Sequence, residues 1–268
     1  MLTLQNISYN IGPIQILNKV SFEALPGEVT VIVGSNGAGK STLLKIACGA
    51  MLATNGSVQL QGKELNKWKP ADLAKCMAVL QQQNVLSLPF KVSDVVMMGR
   101  YPHFKKQASS KDFDIIHDAL KKVGISKLAE KNYLDLSGGE QQRVHLARVF
   151  AQIWSSENYD TRYLFMDEPS NNLDIRHQHN SLNMAREFAS DGHIVVAILH
   201  DLNLAMQYAD KILLLKRGGS IAFGTPEEVM TEKIMSKVFD YPLNIFNHPE
   251  YGHPIVMPTT HSNILINQ

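Results

Sequence analysis

The chain has 268 residues, a formal net charge of +1 from 26 basic and 25 acidic side chains, and two cysteines. That length suits one large α/β domain, or a core carrying a small lobe, with enough buried surface to need no cross-links. The even charge speaks against a nucleic-acid binder working through bulk charge, and Cys48 and Cys76 are too few for a disulfide framework, as fits a reducing cytosol.

No basic segment followed by an apolar core opens the chain, so no signal peptide is expected. Apolar runs such as residues 194–199 are far shorter than the roughly 20 residues needed to cross a bilayer. The expectation is a protein soluble by itself, held at a membrane only by a partner.

In chain order, residues 2–8, 17–22 and 29–33 read as strands, and 57–60 as another after the Asn55-Gly56 turn. The continuous apolar run at 29–33 predicts a strand buried on both faces. A glycine-rich loop follows at once, then a helix through Leu43, Leu44, Ile46 and Ala47. Residues 77–80 form a further short strand before a cluster of glutamines. The middle is helical, at 92–98, at 110–123 with Gly124 as its stop, and from Gly138-Gly139 to about 152. Strand and helix then alternate again: strands at 163–166 and 194–199 flank a helix from about 173 to 189. A hairpin at 212–215 and 221–224 turns at Gly218-Gly219, and Thr225-Pro226-Glu227-Glu228 has the form of a capping box with proline at the first helical position. The expected fold class is α/β: a phosphate-loop nucleoside triphosphatase (P-loop NTPase) core with an antiparallel N-terminal β region and an inserted helical subdomain. The whole chain reads as a single domain, with core 1–83 and 153–240, helical insert about 84–152, and tail 241–268.

The loop Gly34-Ser35-Asn36-Gly37-Ala38-Gly39-Lys40-Ser41-Thr42 meets the whole GxxxxGK[ST] pattern, with a buried strand before it and a helix after it. Its glycines let backbone N–H groups curl around phosphate oxygens, and the helix adds its positive end. Lys40 is placed to pair with the β and γ phosphates of ATP, and the Ser41 hydroxyl to ligate Mg²⁺. The alternative is a chance glycine-rich turn. A metal-holding acid is required on a neighbouring strand. Tyr163-Leu164-Phe165-Met166-Asp167-Glu168 supplies it: Asp167 as metal holder, directly or through water, and Glu168 as the group that polarises the attacking water. By themselves, two acids at a strand end are also what ordinary solvated termination produces.

Leu136-Ser137-Gly138-Gly139-Glu140-Gln141 opens a helix with a second anion-binding N-terminus. One ATP does not need two such cradles from one subunit. The economical reading is a two-fold dimer in which this segment closes on the nucleotide held by the other copy.

At LSGGEQ the sequence resembles the ATPase subunits of the ATP-binding cassette (ABC) transporters, over residues 2 to 258 and with motifs in the family's order. The resemblance implies that Gln82 reaches Mg²⁺ and senses the γ-phosphate, that Asp174 belongs to a loop crossing the dimer, and that His200 is the histidine contacting the γ-phosphate. It implies two departures as well. Where the family has an aromatic stacking on adenine stands Ile11, with Tyr9 two residues earlier, so either Tyr9 substitutes or adenine packs on aliphatic surface. Asn171-Asn172 stand where small residues are more usual.

Within the family, Gly99-Arg100-Tyr101-Pro102-His103 resembles a segment of subunits serving iron-chelate, cobalamin and haem importers. Leu86-Ser87-Leu88-Pro89-Phe90, Arg176-His177-Gln178-His179 and the tail from His248 through His253 to Pro258 look closer to haem-import ATPases. Direct haem ligation by His103, His177, His179, His248 or His253 is set aside for surface or hydrogen-bonding roles, because a coupling ATPase need not touch its cargo. The resemblance implies an ATP- and Mg²⁺-dependent subunit of a haem (hemin) importer, at the cytoplasmic face of a bacterial inner membrane as a peripheral protein. Its partners would be a second copy, two copies of a transmembrane permease docking near Leu86, Leu88, Phe90 and Tyr101, and a periplasmic substrate-binding protein; no nucleic acid is expected. Those four residues could equally pack inside the helical lobe. Rival readings are a siderophore or cobalamin importer ATPase, a soluble cassette acting on ribosomes or DNA, and a phosphate-loop kinase. A single cassette with about a hundred residues between loop and signature fits the soluble class poorly.

Overall fold

A computed structural model of the chain describes residues 1–81, 86–104, 106–153, 160–169, 173–247 and 254–259. In chain order come β1 (Leu2–Ile11), β2 (Ile14–Ala24), β3 (Val29–Gly34), α1 (Lys40–Ala47), β4 (Asn55–Leu60), β5 (Lys63–Glu64), α2 (Pro70–Cys76) and β6 (Met77–Leu80). The helical stretch holds α3 (Val92–Met97), a tighter turn at Met98–His103, α4 (Ser110–Lys122) and α5 (Gly138–Ile153). Then follow β7 (Tyr163–Asp167), α6 (Ile175–Ser190), β8 (Ile194–Ile198), α7 (Leu202–Tyr208), β9 (Lys211–Lys216), β10 (Gly219–Gly224), α8 (Pro226–Val229), α9 (Glu232–Phe239), β11 (Leu243–Asn247) and β12 (Pro254–Pro258).

The described residues form a six-stranded sheet in the order β10-β9-β3-β8-β7-β6, parallel from β9 to β6. Its central strands are buried along their whole length, which is why their sequences are continuous apolar runs. Their side chains nevertheless divide by the period of two. Val31, Leu164, Met166, Val195 and Ala197 join a core cluster with the helical stretch, α6 and α7. Ile32, Phe165, Val196 and Ile198 face the opposite way, into a second cluster with α1 and the antiparallel sheet β2-β1-β4-β5. The parallel sheet is therefore a layer between two apolar cores, and its strand ends are set by packing on both sides.

Several elements differ from the sequence reading. The β1 and β2 strands are longer than the apolar pattern suggested, because their backbone pairing continues past the core to the exposed pairs Asn10–Gln15 and Ile11–Ile14. The helix expected from about 173 begins at Ile175, because Asp174 adopts an extended backbone and accepts a hydrogen bond from His177 N at 2.9 Å. Short helices α2, α7 and α9 were not read, being one or two turns with few periodic positions. The tail contains a hairpin, β11 against β12. The capping box at Thr225 is present, with the Glu228 side chain accepting from Thr225 N at 2.8 Å.

Candidate nucleotide site

Strand β8 lies between β3 and β7, and Ile198 is in register with Ile32 on one side and Asp167 on the other. This brings three chain exits to the carboxyl edge of one sheet: the loop after β3, the acids ending β7, and His200 just beyond β8. Ligands of open α/β sheets bind at this edge.

The loop between β3 and α1 is shaped by its glycines. Gly37 and Gly39 have φ of 76° and 95°, in the left-handed region. Gly34 has no room at all: a Cβ there would lie 2.3 Å from the Leu215 carbonyl oxygen on β9. The turn between β9 and β10 also meets the loop, with Gly218 N donating to Ala38 O at 3.2 Å. Sequence reasoning took Gly218 as a hairpin residue only; its service as a wall behind the loop needs tertiary contact to be seen. Lys40 is buried and its Nζ donates to Gly34 O at 2.9 Å and Ser35 O at 3.0 Å. Burial lowers its pKa, opposed by the nearby Glu168 and Asp167 carboxylates. Ser35, Asn36, Ala38 and Thr42 lie in the same loop and first helical turn; Asn36 and Gly37 are its exposed tip.

The Ser41 hydroxyl donates to Asp167 Oδ1 at 3.3 Å. Burial pushes the Asp167 carboxyl up, against that hydrogen bond, and the adjacent Glu168 carboxylate adds to the rise. A buried, under-compensated carboxylate beside a hydroxyl is an all-oxygen donor pair suited to a hard divalent cation, which takes one or two protein oxygens beside phosphate and water. Ser41 and Asp167 also line a cleft of about 340 Å³ with Lys45, Val79 and Gln81. Gln82 lies outside the described residues, as do Asn171 and Asn172.

Glu168 is buried, with φ 53°, a left-handed backbone uncommon for a residue with a side chain. Such strain persists where surrounding structure imposes it, here including Glu168 N donating to Ile198 O at 3.2 Å. Its Oε1 is hydrogen-bonded to His200 Nε2. The acid and the histidine, 32 residues apart, are thus brought into contact, a pairing the sequence reading did not anticipate.

The segment at Ser137 is not in this cluster. Ser137 Oγ donates to Glu140 Oε2 at 2.8 Å, Ser137 N donates to the same oxygen, and Glu140 N reaches back to Ser137 Oγ at 3.4 Å. These bonds hold the Glu140 carboxyl below its usual pKa. Ser137 and Gly138 are exposed, and a Cβ on Gly138 would meet nothing within 4 Å. The first turn of α5 is therefore an open surface, with Gly139 and Glu140 just behind it. Asp174 is exposed as well.

At the tip of the β1–β2 hairpin, Tyr9 packs partly into the second core cluster, while Ile11 and Ile14 are each about 60% exposed. Of the residues suggested for docking, Leu86 and Phe90 pack against the first cluster, whereas Leu88 and Tyr101 are exposed. His103 Nε2 is 2.8 Å from Gln152 O, and His179 Nδ1 is 2.7 Å from Tyr208 OH. Both are internal hydrogen bonds; His248 and His253 lie outside the described residues.

The family model of the ABC transporter matches residues 17–171, a stretch that holds the phosphate loop, the strand-end acid pair and the remote serine-glycine helix start. The chain belongs to the ABC transporter family. The hemin import ATP-binding protein HmuV of Gloeobacter violaceus is 44% identical to this ABC protein over 265 residues, 99% of this chain and 96% of that one. The protein of the same name from Pseudomonas fluorescens is 43% identical over 96% of this chain and 99% of its own. Among solved structures, an inward-facing transporter described as of the metal-chelate type superposes with a TM-score of 0.80 at 23% identity, covering 96% of this chain and 97% of that one. A dimeric ATP-binding cassette in a post-hydrolysis state, bound to ADP and Pi, gives 0.72 at 26% identity over 84% of this chain and 99% of its own. The ABC fold of the present chain, an ATP-binding subunit, is thereby established. Among its described residues no helix is long and apolar enough to cross a membrane.

Proposed function

We propose that this chain is the ATP-hydrolysing subunit of an importer of hemin, working as a dimer in which each nucleotide is held by one copy and closed over by the other. The observation that carries the catalytic part is the contact of Glu168 with His200 beside the Ser41–Asp167 pair, at the edge where the phosphate loop leaves β3. The full-length likeness to hemin import ATP-binding proteins supports the cargo.

ATP sits with its phosphates in the loop from Gly34 through Ser35, Asn36, Gly37, Ala38 and Gly39 to Thr42, and Lys40 exchanges its carbonyl partners for β- and γ-phosphate oxygens. Ser41 and Asp167, with Gln82, would hold Mg²⁺, which would supply positive charge to offset that developing on the transferred phosphoryl. Glu168 orients the attacking water and accepts its proton, and His200 leaves Glu168 to donate to the γ-phosphate. Ser137, Gly138, Gly139 and Glu140 of the second copy complete the phosphate cradle, with Asp174 at the crossing loop. The open first turn of α5 supports this, as does the dimeric state of the cassette bound to ADP and Pi. The adenine ring packs on the aliphatic tip at Ile11 and Ile14, since Tyr9 is partly taken up in the core.

The chain acts as a single cassette, with core 1–83 and 153–240, helical insert about 84–152 and tail 241–268. It works peripherally at the cytoplasmic face of a bacterial inner membrane, on two copies of a permease fed by a periplasmic binding protein, and no nucleic acid takes part. ATP performs work because it binds the closed dimer more tightly than the open one. Glu168→Gln is expected to retain ATP binding, to accumulate an ATP-bound dimer by gel filtration, and to lose at least about a hundredfold in turnover. Wild-type turnover would refute the role of Glu168. With the permease complex in hand, hemin should stimulate hydrolysis; stimulation by a ferric siderophore or cobalamin instead would overturn the cargo.

A further inference from the structure

The segment Gly99-Arg100-Tyr101-Pro102-His103 takes no part in the nucleotide site, yet it is built into the fold with care. The C-terminal end of α5 leaves carbonyls without helical partners, and the helix dipole puts partial negative charge there. Arg100, buried, donates from Nη1 to Ala151 O at 2.7 Å, and His103 Nε2 lies 2.8 Å from Gln152 O. Burial lowers the His103 pKa, and because a carbonyl oxygen only accepts, Nε2 carries the proton of this hydrogen bond. Arg100 is itself fixed by Nε donating to Asp112 Oδ1 at 2.9 Å, and Asp112 closes the capping box that starts α4. Gly99 lets this segment lie on the helix: a Cβ there would be 2.2 Å from Arg148 O.

The same stretch also holds the approach to α5. Phe90 O accepts from Tyr133 N at 2.8 Å, and Val92 N donates to Lys131 O at 3.0 Å. The Tyr133 hydroxyl is 2.8 Å from His145 Nε2 inside α5. Residues 90 to 103 therefore hold the C-terminal end of the signature helix and the segment that leads into it, whose Tyr133 reaches the middle of α5.

We infer that Arg100 and His103 are positioning residues for the first turn of α5: by capping its last carbonyls they set where Ser137, Gly138 and Gly139 stand when the partner's nucleotide arrives. This rests on the proposed dimer, in which the open first turn of α5 acts in trans. Their hydrogen bonds named above go to α5 and to Asp112, so the clamp separates two quantities that a general structural role would move together. ATP binding to a chain's own loop stays intact, while ATP-driven pairing weakens.

The test uses the full-length chain carrying Glu168→Gln as the parent. In it, His103→Ala should leave ATP affinity under monomeric conditions within about twofold, and raise the ATP concentration needed for dimerisation by up to about tenfold, as loss of a partly buried hydrogen bond implies. His103→Gln, whose amide can still donate to Gln152 O, should restore pairing, and Arg100→Gln should behave like His103→Ala. Unchanged dimerisation in His103→Ala and Arg100→Gln would overturn the inference. So would a parallel loss of ATP affinity, which would mean that the clamp supports the whole chain and not the helix. If the Glu168→Gln parent itself never dimerises with ATP, the dimer reading fails, and the clamp with it.

Discussion

Asp167 shows how a single residue can set stability against activity. Its carboxyl is buried and raised in pKa, with one hydroxyl donor at 3.3 Å. For a raised acid, the native chain holds the proton at pH values where the unfolded chain has released it. Stability therefore falls as pH rises from the unfolded value through the raised one, and the cost persists above it. Asp167→Asn removes that cost and keeps an acceptor for Ser41. Without nucleotide it is expected to melt about 2–4 °C higher at pH 7, with the gain vanishing below the ordinary carboxylate range, and to lose ATP hydrolysis. Calorimetry across pH with a turnover assay checks both. Gly34 is a residue-scale case of another kind. Its missing side chain leaves room for the Leu215 carbonyl, so Gly34→Ala should push the loop off β9 and weaken ATP binding by at least about tenfold, read by nucleotide titration.

Single elements here are held by contacts of very unequal worth. Arg100 and Asp112 form an ion pair with side chains 5% and 10% exposed, tying the turn after α3 to the start of α4. Removing one member of such a pair leaves a buried charge, so Asp112→Ala is expected to destabilise by about 3–5 kcal/mol in denaturant unfolding. Lys91 and Glu130 are as close, at 2.8 Å, but both are well exposed. Solvent screens that pair, and Glu130→Ala should leave the unfolding midpoint in place. Of these four residues only Asp112 lies in an α-helix, α4, which was legible from its periodicity. The short α7 was not, although Asn203 in it pairs through both amide atoms with the Val256 backbone and so secures the tail hairpin. No local pattern marks such a pairing, because its two halves are 53 residues apart.

At the scale of the molecule, the proposed mechanism makes one chain half an enzyme. Ser137 and Gly138 stand exposed at the open end of α5, outside the cluster around Glu168. Turnover per chain is therefore expected to rise with protein concentration and to level off once the ATP-bound dimer saturates. A rate per chain that is constant down to nanomolar concentration, where gel filtration finds only monomer, would refute the shared site.

The chemistry-bearing motifs were legible without structure because each is local. A glycine-lysine-serine loop between strand and helix, two acids ending an apolar run, and a serine-glycine helix start are set by neighbours in sequence. So were the strands of the parallel sheet, whose continuous apolar runs follow from burial on both faces. The phosphate loop could even be read as incomplete, since a second anion-binding helix start implied a second copy. Only the tertiary structure decided what depends on closeness between distant segments. It put His200 on Glu168 and Gly218 behind the loop, packed Leu86 and Phe90 inward while leaving Leu88 and Tyr101 outside, and set Arg100 and His103 on the end of α5. Local sequence specifies backbone conformation and side-chain chemistry; which distant groups meet is settled by how the two cores pack against the sheet between them.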